Sequence, residues 1–259
     1  MMQLKKELYH PPKESHKGQN GRLLIIGGSR QYHGAAIFAI MAARRFVDLI
    51  YFYPGARDPL LLGTVKDIPE AIIIDDLNIL PHIDAVLFGV GFGKAKFDVT
   101  MLDRICGKHN QLNQKLVVDG DGLDLIKNKI PKGAVLTPHE GEFQNLFGMP
   151  GTKDNVRKMA REHKCIVLKK GAVDFVSDGK EFYMNKTGNP GMTKGGTGDV
   201  LAGLVAALAC KNDAFEAACV GAYVNGLAGN LLMRKYGYNF CASDLSGALA
   251  EAFVKFEKH

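Results

Sequence analysis

Asp199 stands just behind a run of glycines and at the mouth of an apolar segment, a spacing that suits proton abstraction beside a bound phosphate. The run is Thr187-Gly188-Asn189-Pro190-Gly191-Met192-Thr193-Lys194-Gly195-Gly196-Thr197-Gly198-Asp199. It continues into Val200 to Leu208, small and apolar with no breaker beyond Gly203, which reads as a buried helix. A glycine loop that opens a helix is an anion cradle, because unpaired N–H groups and the helix dipole both point at the bound charge. The dipole is expected to keep Asp199 ionised, ready to accept a proton from a substrate hydroxyl. A phosphate cradle touching a poised base suggests phosphoryl transfer to an alcohol. A simple turn with Asp199 as helix cap would use some of the same residues. Gly188, Gly191, Gly195, Gly196 and Gly198, together with Thr193, Lys194 and Thr197, exceed what a turn needs.

Other candidates sit behind short apolar runs. In Thr137-Pro138-His139-Glu140-Gly141-Glu142-Phe143, His139 and Glu142 are one helical turn apart, so both are expected to face one ligand. A carboxylate beside transferring phosphates usually holds magnesium, directly or through water, and Glu142 is placed for that. Asp119 and Asp121 follow another run; they suit a substrate pocket, a metal, or a plain turn. Gly89-Val90-Gly91-Phe92-Gly93 lacks the dinucleotide spacing, and Lys94-Ala95 rules out a Walker lysine motif. The glycines there fit either a simple turn or a loop that lets a substrate approach the backbone. Lys170-Gly171-Ala172-Val173-Asp174 could wrap a base and ribose through its backbone. His33 and Gly34, with Ala35 and Ala36, make a small-residue helix entry, open to a bulky ligand or to close packing.

The elements that must position these residues follow one pattern: apolar strand, polar glycine-bearing loop, helix. Strands are expected at Leu23–Ile26, Leu49–Tyr53, Ala71–Ile74, Ala85–Phe88, Leu116–Val118, Ala134–Leu136 and Cys165–Leu168. Helices are expected from Gly34 to Ala43, from Phe97 to His109, from Asp213 to about Tyr236, and from a Ser243 cap to the end. Asp174 to Tyr183 reads as a hairpin around Asp178-Gly179. The pattern is that of an α/β fold, a central mostly parallel sheet with helices on both faces. Ligands in such sheets gather at the carboxyl ends of strands, where the candidate residues fall.

With 259 residues the chain suits a single domain, 1–259, with a full core. Its hydrophobic content of 46% and charged content of 23% are ordinary for a globular protein. A net charge of +6 suits an anionic ligand, but the basic residues are dispersed and no nucleic-acid signature accompanies them. Five cysteines without a CxxC pair give neither a disulfide frame nor a zinc site, as expected in the cytoplasm. No apolar stretch approaches membrane-span length, and the start of the chain lacks the apolar run of a signal peptide.

Taken together, several pieces match a known family in order and spacing over most of the chain. They are His16-Lys17-Gly18, Gly27-Gly28-Ser29 with Gly34-Ala35-Ala36, Gly89-Val90-Gly91, Leu136 to Phe143, Val167-Leu168-Lys169-Lys170-Gly171, and Asn185-Lys186-Thr187-Gly188-Asn189 with the central loop. The combination resembles the NAD(P)H-hydrate dehydratases of the ribokinase-like superfamily. The resemblance implies a ribokinase-like fold and a lyase that repairs hydrated NADH or NADPH. A nucleotide, most often ADP in prokaryotic members and ATP in eukaryotic ones, phosphorylates the ring hydroxyl, and loss of phosphate restores the dihydronicotinamide. By motif matching, Asp199 is the base; Ala35, Gly91 and His139, with Asp199, line the hydrate site. Lys170, Gly171, Ala172, Val173, Asp174 and Gly198 hold the adenine nucleotide, while Gly195, Gly196, Thr197 and Gly198 cradle the transferred phosphoryl. Glu142 takes the place of the superfamily's magnesium-linked glutamate. The resemblance also implies a homo-oligomer, a tetramer in many relatives, and an epimerase supplied by another protein. The chain departs from many relatives at Gly89-Val90-Gly91, where they carry Gly-Pro-Gly, and at Asp119-Gly120-Asp121-Gly122, where they carry alanines between the acids. A kinase of a small alcohol, such as a vitamin precursor or sugar, would use the same base and cradle. A nucleotide-binding regulator would keep the cradle but have no use for Asp199.

Overall fold

The computed structural model describes residues 4, 8–93, 104–105 and 114–258. The helix expected over Phe97 to His109 lies outside them except at 104–105, which are helical, and Lys94 also lies outside.

The described strands are β1 (Arg22–Gly27), β2 (Leu49–Pro54), β3 (Ala71–Ile73), β4 (Ala85–Phe88), β5 (Lys115–Val118), β6 (Val135–Leu136), β7 (Ile166–Lys169), β8 (Asp174–Ser177) and β9 (Phe182–Asn185). They form one sheet in the order β3-β2-β1-β4-β5-β6-β7-β8-β9. Strands β1 to β7 pair in parallel, and the expected hairpin adds β8 and β9 antiparallel at one edge. The described helices are α1 (His33–Ala43), α2 (Pro59–Lys66), α3 (Asp121–Leu125), α4 (Glu140–Phe147), α5 (Lys153–His163), α6 (Thr197–Ala209), α7 (Ala214–Tyr236) and α8 (Ala242–Lys258).

A parallel sheet must be covered on both faces, so its strands carry apolar residues toward each. In β1, Leu23 and Ile25 enter one core with α1, α6, α7 and α8, while Leu24 and Ile26 enter the other with α4 and α5. Helix α6 packs between α1, α7 and strands β4 and β5, which is why its sequence is apolar on every side. Gly203 makes this possible: a Cβ there would lie 2.4 Å from the Ala39 carbonyl oxygen.

Local signals explain most helix starts. Asp213 caps α7 by accepting from the Phe215 and Glu216 N–H groups at 2.9 and 3.1 Å. Helix α2, which no apolar period announced, is started by Asp58 accepting from the Leu60 N–H at 2.9 Å, with Pro59 at the first position. The last helix begins at Ala242 and not at a Ser243 cap. There the Asp244 carboxylate accepts from the Cys241 N–H at 2.8 Å, and the serine hydroxyl is not the capping group.

The strand order reverses between β1 and β4, and such a switch point opens a crevice at the strands' carboxyl ends. The two ends are tied by the Gly28 N–H, which donates to the Val90 carbonyl at 2.7 Å. Among the described residues no helix is long and apolar enough to cross a membrane. Cys165, Cys210, Cys219 and Cys241 are free thiols.

Candidate functional site

The carboxyl ends of β5, β6 and β7 meet the first turn of α6 around the Lys170 ammonium. Lys170 Nζ donates to Asp119 Oδ1 at 2.8 Å and lies 3.8 Å from Glu142 Oε2. Asp119 is buried behind β5, where its Oδ1 also accepts from the Thr137 hydroxyl at 2.6 Å. The Lys170 N–H donates to the Pro138 carbonyl at 2.8 Å, so the ends of β6 and β7 are fastened side by side. A Cβ added at Gly198 would lie 3.4 Å from Lys170 Nζ, which puts the ammonium against the residue before Asp199. Burial alone would lower the Lys170 pKa, but the Asp119, Glu142 and Asp199 carboxylates outweigh it and leave it raised.

Asp199 is half-buried in the first turn of α6. Its charge is not secured by the helix dipole, contrary to the sequence expectation. Burial first, and the Asp119 carboxylate second, push its pKa from 3.8 up to about 7, while Lys170 pulls it back down. The dipole reaches only the first turn and is outweighed by lost solvation. Such a carboxyl is poised to take up and give back a proton near neutral pH.

The α6 N-terminus has no side-chain cap, and its first residue is preceded by Gly196 at φ +92°. Gly195 is exposed with nothing within 4 Å of where a Cβ would stand, so this face of the loop is open to a ligand. Thr197 differs from its neighbours. Its hydroxyl donates to the Met192 and Lys194 carbonyls at 2.7 and 2.9 Å, so the side chain shapes the loop and does not face the cradle. Lys194 likewise turns away, donating to the Tyr238 carbonyl and resting 5.3 Å from the centre of the Phe240 ring.

His139 and Glu142 face each other before they face anything else. Glu142 Oε2 accepts from the His139 N–H at 2.7 Å, and His139 Nδ1 accepts from the Glu142 N–H at 3.1 Å, a capping box that starts α4. The same Oε2 lies 3.8 Å from Lys170 Nζ, while Glu142 Oε1 lies 3.5 Å from His139 Nε2. Lys170 to Asp174 is a tight turn between β7 and β8: Asp174 Oδ1 accepts from the Gly171 N–H at 2.9 Å, and Asp174 Oδ2 accepts from the Asn185 amide at 2.9 Å. Asp174 is thus occupied in holding the turn, and its pKa is raised by burial. Gly171 and Ala172 remain exposed, and Val173 is partly so.

Ala35 and Gly91 meet at the switch point, since a Cβ on Gly91 would lie 2.7 Å from the Ala35 side chain and 2.5 Å from the Tyr32 carbonyl. The same loop is pinned by Asp121, whose Oδ2 accepts from the Gly93 N–H at 2.7 Å. Two residues left open by the sequence therefore have distinct tasks: Asp119 holds Lys170, and Asp121 holds the Gly91–Gly93 loop. The half-exposed Tyr32, beside Ala35 and Gly93, was not anticipated. Its only sequence signal is its place just before the small-residue helix entry.

The family model described as NAD(P)H-hydrate dehydratase matches residues 23–251, which takes in every one of these positions. The chain belongs to the NAD(P)H-hydrate dehydratase family. It is 35% identical over 95% of its length to a bifunctional NAD(P)H-hydrate repair enzyme of Archaeoglobus fulgidus, 54% of which is covered. It is 33% identical to an ADP-dependent (S)-NAD(P)H-hydrate dehydratase of Cenarchaeum symbiosum, over 95% of this chain and 93% of that one. The chain spans about half the length of the first bifunctional relatives it matches. Among solved structures, a ribokinase-like superfamily protein of Enterococcus faecalis superposes with a TM-score of 0.86 at 29% identity, covering 98% of this chain and 95% of that one. A Bacillus subtilis ADP/ATP-dependent NAD(P)H-hydrate dehydratase, co-crystallised with ATP and Mg2+, superposes with a TM-score of 0.82 at 23% identity over 96% and 94%. The fold of this dehydratase-family chain is therefore ribokinase-like.

A cavity of about 400 Å³ opens at the opposite ends of the strands, lined among others by Tyr9, Asn20, Asp48, Lys211, Phe253 and Glu257. None of the expected site residues lines it. Among its polar groups, Asp48 accepts from the Asn20 and Gly18 N–H groups, and Lys211 pairs with Asp84. The candidate site residues lie at the other end of the strands, around Asp199.

Proposed function

We propose that this chain dehydrates hydrated NADH or NADPH at the expense of ADP, releasing AMP and phosphate and regenerating the dihydronicotinamide cofactor. The observation that carries the reading is a half-buried Asp199, its pKa pushed up to about 7, in the uncapped first turn of α6 and beside the Lys170 ammonium. In this reading Asp199 accepts the proton of the ring hydroxyl as that oxygen bonds to the terminal phosphorus of ADP, whose bond to AMP breaks. Phosphate then leaves with the ring oxygen, and the neighbouring ring carbon gives up a proton to the departing phosphate or to solvent as its C–H electrons close the double bond. The N–H groups of the α6 first turn, with Gly195 and Gly198 giving the backbone room, receive the charge that develops on the phosphoryl oxygens. Thr197 contributes through the shape it gives the loop.

In this reading the hydrate lies against Ala35, Gly91 and His139, as the family motifs imply, with Ala35 and Gly91 packed together at the switch point. The adenine nucleotide is placed along the exposed backbone of Lys170 to Val173, with Asp174 keeping that turn closed.

The residues present fit a magnesium ion brought in by the nucleotide. Among the described residues no three His, Cys, Asp or Glu side chains form a metal cluster, and magnesium on nucleotides commonly needs only one or two carboxylates besides phosphate oxygens. Glu142, with 22% of its side chain exposed and facing the Lys170 cluster, would hold it directly or through water. The ion supplies positive charge that offsets the build-up on phosphoryl oxygens. A single domain over 1–259, working as a homo-oligomer in the cytoplasm, completes the proposal. The free thiols Cys165, Cys210, Cys219 and Cys241 agree with a reducing compartment.

The test mixes the protein, hydrated NADH or NADPH, Mg2+ and ADP or ATP, and follows recovery of dihydronicotinamide absorbance. Recovery with ADP supports the reading. No recovery with either nucleotide, together with phosphorylation of a thiazole alcohol or a sugar, would replace it by a small-alcohol kinase.

A further inference from the structure

We propose that Lys170 is a positioning residue for the base: anchored by Asp119, its ammonium is held between Glu142 and the first turn of α6 and steers Asp199 beside the phosphoryl cradle by its charge. The inference rests on the reading of Asp199 as the base, and it goes beyond assigning Lys170 to the nucleotide.

The geometry is that of a hub. Lys170 leaves the end of β7, and its side chain is only 17% exposed. One of its three N–H groups is committed to Asp119 Oδ1 at 2.8 Å. Asp119 cannot swing, because its side chain is 4% exposed and the same oxygen is held by Thr137 at 2.6 Å. Asp119 thus lies behind the ammonium, away from any ligand, and orients it. What remains of the ammonium points at Glu142 Oε2, 3.8 Å away, and at the α6 first turn, where Gly198 leaves it room. Carboxylates following β5 and in α4 lie 2.8 and 3.8 Å from the ammonium, and the α6 carboxylate Asp199 is close enough to act on it by charge. Without a central cation these like charges push one another apart. A lysine in this place lets the cluster form without a ligand and presents the base toward the cradle in advance, which is where positioning lowers a barrier.

The experiment compares Lys170→Met, Asp119→Asn, the double variant and Asp199→Asn in the hydrate assay, with ADP affinity measured separately by titration calorimetry. Positioning predicts that Lys170→Met lowers kcat by about 100-fold, the scale of an ångström's misplacement, while the Kd for ADP changes far less. Asp119→Asn should lower kcat by roughly tenfold at unchanged ADP affinity, and the double variant should be no worse than Lys170→Met, because Asp119 acts through the lysine. A kcat kept in Lys170→Met with a weakened Kd for ADP would make Lys170 a nucleotide ligand only and overturn the inference. So would additive losses in the double variant. Should Lys170→Met fail to fold, Asp119→Asn decides alone: a fall in kcat at constant ADP affinity supports the hub, and an unchanged kcat overturns it. Asp199→Asn separates the two readings. Activity retained there removes the base itself, whereas activity lost there but kept in Lys170→Met removes only the positioning role.

Discussion

His139 and Glu142 are bound to each other at the start of α4, backbone to side chain in both directions, at 2.7 and 3.1 Å. The glutamate carboxylate is thereby aimed before any ion or nucleotide arrives, with the oxygen that accepts from the His139 N–H also 3.8 Å from Lys170 Nζ.

Replacing His139 by Ala removes the acceptor for the Glu142 N–H and should cost about 1 kcal/mol of stability, the usual worth of a helix cap. Urea denaturation reads it as a lower midpoint at an unchanged slope. The same change loosens Glu142, so the Mg2+ concentration needed for half-maximal rate should rise. A variant with wild-type stability and wild-type Mg2+ dependence would show that the capping box does not aim Glu142.

Asp199→Asn keeps the size of the side chain and removes its basicity. Turnover should fall roughly 100-fold or more, the ordinary worth of a positioned base, with ADP binding largely kept. Single-turnover kinetics beside equilibrium titration with ADP separates the two, and wild-type turnover would remove Asp199 from the mechanism.

The pH dependence follows from the same group. Asp199 accepts a proton only when ionised, and its pKa in the free protein is raised to about 7. The apparent kcat/KM should therefore climb with pH and level off above about 7.5, standing roughly tenfold below its plateau near pH 6. A profile flat from about pH 6 to 8 would assign the proton transfer to another group.

Stability carries the opposite sign. The folded protein holds the Asp199 proton more tightly than the unfolded chain, so its contribution is fully present below about pH 4 and is lost as pH rises through about 7. The rise from 3.8 to about 7, at about 1.4 kcal/mol per pH unit, sets an upper figure of ~4 kcal/mol. Asp199→Asn should accordingly stabilise the fold near pH 8 and change it little near pH 4. Urea unfolding at the two pH values checks this, and equal effects at both would contradict the burial of an ionised carboxylate.

Gly203→Ala should destabilise the fold by about 1–3 kcal/mol, since overpacking forces backbone apart. The added carbon would meet the Ala39 carbonyl oxygen at 2.4 Å, and backbone cannot rotate out of its way as a side chain can. A shift of the thermal midpoint reads the cost, and an unchanged midpoint would mean that α1 and α6 can separate freely.

The sequence by itself determined the α/β alternation, the strands β1 to β7, the hairpin, and the glycine loop running into a buried helix with Asp199 at its mouth. These are local properties. Apolar runs of strand length, glycines with positive φ and side chains that cap their own neighbours act within a few residues. It also placed the candidate residues at strand ends, because a parallel α/β sheet gathers its loops there. Only the tertiary structure decided what Asp119, Asp121 and Lys170 do. Asp119 and Lys170 are 51 positions apart, and their 2.8 Å contact exists because β5 and β7 flank the two-residue β6. The charge state of Asp199 was likewise beyond local reading. A helix dipole can be inferred from a helix start, but the burial and the neighbouring Asp119 carboxylate that outweigh it come from distant segments folded against α6.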